Sequence, residues 1–167
     1  HVEGQVDIVA GTLSKALGGV GGFVASSKEV VNYLRFYARS YMFSTALPPA
    51  VTGSLIAAID VIETEPELRE KLWHNIRHMM DNLRRMGFDL GRAETAIIPI
   101  IVPDERILKL MSREIHQAGI FLNPVYYPAV PKKLSRLRLS LMATHTQEDL
   151  DDTLAVLERV GKKYGII

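Results

Sequence analysis

The feature that most constrains the fold is a long amphipathic helix near the middle of the 167-residue chain. Its apolar residues recur at alternating spacings of three and four, which places them on one face of a helix. Pro66 is typical of a first turn and Gly87 of the position after a last turn, so we expect the helix between them. The apolar face consists of Leu68, Leu72, Ile76, Met79, Leu83 and Met86.

Before this helix, the sequence predicts two short strands joined by a loop of small residues. The run Asp7-Ile8-Val9-Ala10-Gly11 is typical of a buried strand that ends in glycine, and Phe23-Val24-Ala25 is the second apolar run. Ser26 or Ser27 could cap a helix over residues 28–38. Another helix is expected to begin near Pro48-Pro49, since proline is well tolerated in a first turn.

From about Thr95 onward, the pattern predicts a compact α+β unit in which helices cover three strands. Thr146-Gln147-Glu148-Asp149 resembles a capping box at the start of a last helix. The expected strands are residues 96–102, 120–122 and 137–142, and another helix is expected at 105–118. Because the chain starts without Met and enters an apolar run at once, we expect it to be a fragment of a longer protein.

Charge and composition exclude several kinds of function. With 20 basic and 19 acidic residues, the chain offers no electrostatic argument for nucleic acid or an anionic membrane. No apolar run is long enough to span a bilayer. The absence of cysteine excludes disulfides and thiolate metal sites, and the histidines within the predicted helices suggest no metal cluster. These features fit a cytoplasmic enzyme.

Lys15 is the first candidate for chemistry, because it follows a predicted strand within a loop of Thr, Ser and Gly. A surface lysine in a turn is the commoner meaning of such a position. A Schiff-base lysine needs a rigid support and small neighbours that let a flat cofactor approach. Thr12, Ser14 and the loop glycines could supply the hydroxyl and backbone N–H groups that bind phosphate.

The surrounding sequence resembles the cofactor-lysine motif of the α-oxoamine synthases, a family that uses pyridoxal 5′-phosphate (PLP). The family includes serine palmitoyltransferase, glycine C-acetyltransferase and 8-amino-7-oxononanoate synthase, and the motifs here are most like those of the first two. Three landmarks occur in the family's order and cover essentially the whole chain. They are Gly11-Thr12-Leu13-Ser14-Lys15-Ala16-Leu17-Gly18 with Gly21-Gly22, then Phe43-Ser44-Thr45-Ala46-Leu47-Pro48-Pro49, and finally Arg136-Leu137-Arg138 with Ala143-Thr144-His145-Thr146.

The resemblance implies an α/β fold of PLP fold type I, like that of aspartate aminotransferase. Residues 1–64 would be the end of the large cofactor-binding domain, 65–94 a long connecting helix, and 95–167 the α+β small domain. The segment Tyr127-Pro128-Ala129-Val130-Pro131 resembles the family's mobile loop over the active site, although a rigid proline-rich connection would explain it as well.

The resemblance also implies roles for single residues. Lys15 matches the lysine that holds PLP as a Schiff base and later moves the α-proton, and Thr12 matches a ligand of the cofactor phosphate. Ser44 and Thr45 match residues that reach the phosphate in the partner's site of a homodimer. A cap for the helix at Pro48-Pro49 is the other role that these two residues could have.

Arg138 matches the arginine that binds the amino-acid carboxylate, and the strand pattern supports this role independently. Leu137, Leu139 and Leu141 share one face of the predicted strand, so Arg138 lies on the other face together with Arg136. A guanidinium facing a cleft can clamp a carboxylate with two parallel hydrogen bonds, whereas mere solvation is the commoner case. His145 is expected to order a turn rather than to act as an acid or base.

The activity implied is the condensation of an amino acid with an acyl-CoA to give an α-amino ketone, usually with loss of carbon dioxide. The family's ring-stacking histidine and pyridine-pairing aspartate precede the lysine and cannot be assigned in this chain, so we expect the fragment alone to be inactive. A class I/II aminotransferase and a non-catalytic α+β interaction module are the alternatives.

Overall fold

The computed structural model describes Val2 and residues 4–167. They form two compact units, His1–Pro66 and Glu67–Ile167. Within the described residues, none of the helices combines the length and the apolar character needed to cross a bilayer.

The first unit contains an antiparallel hairpin followed by three helices. In the hairpin, β1 (Ile8–Thr12) pairs along its whole length with β2 (Gly22–Ser26). The helices are α1 (Lys28–Tyr37), α2 (Arg39–Met42) and α3 (Pro49–Thr64). The hydroxyl of Ser27 accepts a hydrogen bond from the N–H of Val30 at 3.4 Å, which identifies Ser27 rather than Ser26 as the cap of α1.

The expectation that β1 is buried is wrong. Ile8 and Val9 are 52% and 50% exposed, and Phe23 on the paired strand is 48% exposed. A two-stranded ribbon buries its apolar side chains only when other elements cover its faces. Among the described residues of this unit, only Leu55 is buried. The apolar pattern therefore predicted the strand correctly but did not predict that its side chains are exposed.

The second unit is a three-stranded antiparallel sheet packed against helices. Its elements are α4 (Pro66–Met86), β3 (Ile97–Ile101), α5 (Glu105–Gln117), β4 (Asn123–Val125), β5 (Arg136–Ser140) and α6 (Gln147–Lys163). A single 3₁₀ turn at Lys132–Leu134 precedes β5. The predicted helix from Pro66 to Met86 is confirmed, but the expectation of a connecting helix over residues 65–94 is wrong, because Gly87 ends the helix with a positive φ and α4 belongs to the second unit.

The sheet has β5 in the middle, with β3 and β4 as edge strands. Ile98, Ile100 and Leu137 are buried on one face, where they pack in a core with side chains of the helices. On the other face, Arg138 lies in register with Pro99 of β3 and Asn123 of β4. The sheet is therefore apolar on its covered face and carries a guanidinium at the centre of its open face.

The predicted strand at residues 120–122 is wrong by three positions. The helix α5 ends in a Schellman motif, in which the N–H of Gly119 donates to the oxygen of His116 at 3.0 Å and the N–H of Ile120 donates to that of Ile115 at 3.2 Å. This motif uses the Ile120 amide, so pairing with β5 starts only at Asn123. Pro124 is tolerated there because β4 is an edge strand.

The last helix begins with the predicted capping box. Thr146 Oγ1 accepts from the N–H of Asp149 at 3.1 Å, and Asp149 Oδ2 accepts from the N–H of Thr146 at 2.8 Å. The hydrogen bond from the Thr146 backbone holds the pKa of the Asp149 carboxyl below its ordinary value. The charged carboxylate therefore stabilises the start of α6.

A buried amide fixes the turn between β5 and α6. Asn75 in α4 is only 3% exposed, and its Nδ2 donates to the oxygens of Met142 and His145 at 3.1 and 3.3 Å. The Nδ1 of His145 accepts from the N–H of Met142 at 3.3 Å. The expectation that His145 orders this turn agrees with that contact, and Asn75 ties the turn to the long helix.

We predict that Asp149→Asn destabilises the protein at neutral pH and that this effect disappears in acid. Because the folded pKa of Asp149 is lowered, its contribution is present above about pH 4 and is lost as the pH falls through the folded value. Urea unfolding between about pH 7 and about pH 2 measures the difference. Asp152→Asn, in the same helix but outside the capping box, is the control. The same pH dependence in both variants would contradict the prediction.

Asn75→Ala should lower the free energy of unfolding by about 1 to 3 kcal/mol, because two backbone carbonyls would lose their donor in a buried place. Denaturant unfolding checks this value. Asn32→Ala, at an exposed position of α1, should change the stability by less than about 0.5 kcal/mol. Equal effects of the two substitutions would show that the hydrogen bonds of Asn75 add nothing to the free energy of unfolding.

Candidate functional site

The loop that joins β1 to β2, residues 13–21, is closed at its base by backbone hydrogen bonds. The N–H of Leu13 donates to the oxygen of Gly21 at 3.0 Å, and the N–H of Gly19 donates to that of Leu13 at 2.8 Å. Lys15 lies beyond these bonds, in the exposed part of the loop. The hairpin therefore supports Lys15 on a short, closed loop.

Two hydroxyl groups lie at the start of this loop. Thr12 Oγ1 and Ser14 Oγ are 2.8 Å apart, and the N–H of Ser14 donates to Thr12 Oγ1 at 3.2 Å. The Lys15 side chain makes no hydrogen bond or ion pair with any residue that the structure describes. The predicted residues Thr12, Ser14 and Lys15 therefore share one loop, with the amine available for another partner.

The hairpin itself requires Gly22, and Gly11 leaves room for the ring of a neighbouring side chain. A Cβ at Gly11 would lie 2.4 Å from the ring atom Cε1 of Phe23, its partner on the facing strand. A Cβ at Gly22 would lie 2.7 Å from the backbone oxygen of Gly11, and that atom cannot move aside. Close packing within the hairpin thus gives a structural reason for glycine at these two positions. The sequence analysis had linked the glycines to the approach of a flat cofactor.

Ser44 and Thr45 lie in the segment between α2 and α3, and both are exposed. The idea that they cap α3 is wrong, because the N-cap is Pro48 and no side chain bonds to the free N–H groups there. Pro49 occupies the first turn. Because proline has no backbone N–H, one N–H fewer in this turn needs a hydrogen-bond partner. Neither hydroxyl makes a hydrogen bond with another described residue.

Arg138 occupies the centre of the open sheet face in the second unit. Its neighbours in register are Pro99, which has no N–H, and Asn123, which is half-buried. The side chain of Arg138 is exposed and makes no ion pair with any of the described residues. It lines a cleft of about 430 Å³ together with Arg92 and Arg136.

The sequence alone did not identify three residues of the second unit that have a structural or lining role. Arg92 lies in a turn that no periodic pattern marks, and Asn123 belongs to the strand that was expected three residues earlier. Asn75 could have been noticed, because a polar amide interrupts the apolar face of α4 just before Ile76. The described residues contain no group of three potential metal ligands.

Comparison with known proteins identifies the family and the fold of the chain. The sequence matches the family described as "Aminotransferase class I and II" over residues 1–157. It is 42% identical, over all of its length, to 8-amino-7-oxononanoate synthase of Thermoanaerobacter pseudethanolicus, and the match covers 42% of that enzyme. It is 40% identical to 2-amino-3-ketobutyrate coenzyme A ligase of Escherichia coli, with 99% of this chain and 42% of the relative covered.

The fold is similar to that of serine palmitoyltransferase from S. paucimobilis, solved as a Lys-to-Ala variant with a bound PLP–myriocin aldimine. The TM-score is 0.92 at 35% identity, and the match covers 99% of this chain and 42% of that one. The chain therefore spans 42% of the length of these relatives. The expected PLP fold type I and the resemblance to α-oxoamine synthases are confirmed. The chain belongs to the aminotransferase class I and II family.

Proposed function

We propose that the protein containing this chain is a PLP-dependent C-acyltransferase of the α-oxoamine synthase type, which condenses an amino acid with an acyl-CoA. The observation that carries the proposal is the Lys15 side chain, held on a closed loop beside two hydroxyls and without a partner among the described residues. The similarity to 8-amino-7-oxononanoate synthase and 2-amino-3-ketobutyrate coenzyme A ligase supports it.

The residues of the loop fit PLP by their chemistry. The cofactor offers an aldehyde and a phosphate, and the loop presents a primary amine together with the hydroxyls of Thr12 and Ser14, 2.8 Å apart. Both hydroxyls are exposed, and an incoming phosphate could accept hydrogen bonds from them. No acidic side chain pairs with Lys15 among the described residues, so the amine is available.

Each side chain then has a distinct task. PLP, when bound, supplies the electron sink that makes the α-carbon of an amino acid acidic. Lys15 attaches the cofactor and afterwards acts as the base that removes the proton from the α-carbon. Arg138 holds the substrate carboxylate through its guanidinium, and this fixes which bond of the α-carbon is oriented for cleavage.

A homodimer in the cytoplasm is part of the proposal. The hydroxyls of Ser44 and Thr45 are exposed and make no hydrogen bond with other described residues, as expected for groups that reach the phosphate in a partner subunit. The absence of cysteine is compatible with a reducing compartment.

We expect borohydride reduction of the PLP-loaded, full-length protein to attach a pyridoxyl group to Lys15, because reduction fixes the bond between the amine and the cofactor aldehyde. Peptide mass spectrometry locates the adduct. Lys15→Ala should lose both the adduct and the visible absorption band, whereas Lys28→Ala, with a lysine outside the loop, should keep them. An adduct on another lysine would refute the site, and no adduct at all would favour a non-catalytic module.

An aminotransferase is the second candidate, because the matching family is that of class I and II aminotransferases. The two functions differ in their need for a thioester. We expect the full-length protein to release free CoA from an acyl-CoA only when an amino acid is present, and a thiol reagent measures this release. Transfer of the amino group to a 2-oxo acid without any thioester would instead identify an aminotransferase.

A further inference from the structure

Of the two residues in register with Arg138, only one has a polar side chain. The partner on β3 is Pro99, whose ring offers neither a donor nor an acceptor, and the partner on β4 is Asn123. Residues that face each other in an antiparallel pair point to the same side of the sheet, with Cβ atoms about 4.5 to 5.5 Å apart. The amide of Asn123 therefore lies within reach of the Arg138 guanidinium.

The backbone fixes the position of Asn123. Pro124 follows it, and a residue that precedes proline is confined to the extended region. On the other side, Leu122 is buried in the core, and Asn123 is itself half-buried. The pair with Arg138 is also the first of the ladder between β4 and β5. Little backbone freedom therefore remains to be lost when the amide makes a contact.

The hydrogen-bonding groups of both side chains are available. Within the part of the chain that the structure describes, neither the amide of Asn123 nor the guanidinium of Arg138 has a hydrogen-bond partner. A guanidinium has five N–H donors, and a carboxylate bound in a bidentate way accepts from two of them. Once a substrate displaces water from the cleft, the remaining donors need other acceptors. The Oδ1 of Asn123 is the acceptor that stands opposite.

A neutral acceptor suits this position better than a charged one. An acidic side chain opposite Arg138 would pair with the guanidinium and compete with the carboxylate of a substrate. An amide oxygen accepts a hydrogen bond and leaves the positive charge in place. Among the described residues that line the cleft of about 430 Å³, the one acidic residue is Glu94, and it makes no ion pair with Arg138. The charge of Arg138 is therefore preserved for an incoming anion.

We propose that Asn123 is a positioning residue for Arg138. Its Oδ1 accepts a hydrogen bond from the guanidinium when an amino acid binds, and this contact holds the plane of the guanidinium toward the carboxylate of the amino acid. The proposal rests on the proposed function, because it takes Arg138 as the group that holds this carboxylate. Asn123 acts through Arg138 and does not touch the substrate, so its effect requires a carboxylate on the ligand.

Binding of small amines to the PLP-loaded, full-length protein without acyl-CoA tests this, and the visible absorption of the cofactor measures the binding. Glycine, alanine and serine are compared with methylamine, ethylamine and ethanolamine, which lack only the carboxylate. Asn123→Leu keeps the approximate size of the side chain and removes the acceptor. We expect it to weaken binding of the three amino acids by a common factor of about ten, as the loss of one hydrogen bond to a charged group does, and to leave the three amines unchanged.

Three further variants serve as controls. Ser140→Ala, on the same face of β5 but in register with Ile97, should leave the binding of both groups of ligands unchanged. Asn123→Gln keeps the amide and should bind the amino acids more tightly than Asn123→Leu does. In a protein that already carries Arg138→Gln, Asn123→Leu should have no further effect on amino-acid binding, because a positioning residue acts only through the residue that it positions.

Several results would overturn the proposal. Asn123→Leu would bind the amino acids as tightly as the wild type, or it would weaken the amines equally, as a merely structural role requires. A loss confined to serine and ethanolamine would place Asn123 against the substrate side chain instead. Arg138→Gln alone and the pyridoxyl adduct on Lys15 are measured separately, so a failure of this inference is distinguishable from a failure of the carboxylate and PLP assignments.

Discussion

The pairing of β5 between β3 and β4 is the constraint on which the second unit depends. Because side chains alternate along a strand, this register buries Leu137 and Leu139 in the core and turns Arg138 to the open face. A slip by one residue would exchange the two faces, placing a guanidinium in the core and leucines in the cleft. The burial of the leucines and the position of the Arg138 guanidinium are therefore set by the same hydrogen-bond ladder.

The parts of the fold that sequence could predict are those determined by neighbours in the chain. The helix Pro66–Met86 has its start, its apolar stripe and its terminating glycine within one segment, and the capping box at Thr146 spans only four residues. Tertiary context decided the rest. The Schellman motif after α5 moved β4 three residues onward, and the absence of covering layers among the described residues left Ile8 and Val9 exposed.

The residues of the candidate site also fall into two groups, those that local sequence could predict and those that it could not. Thr12, Ser14 and Lys15 lie within four residues of one another, so the motif could be found without knowing the fold. Arg92 could not, because its relation to Arg138 exists only after β3 pairs with β5 and the segment at Asp89 is fixed to Ile101. Whether an arginine is solvated or faces a cleft is a property of its distant neighbours rather than of its own sequence.

The two edge strands of this sheet each contain a proline, Pro99 in β3 and Pro124 in β4. An edge strand normally exposes a row of free N–H and C=O groups that can pair with a strand of another molecule. Proline removes one of those donors and places a ring at the border, and neither strand exceeds five residues. Both borders of the sheet are thus poor templates for intermolecular β-sheet growth.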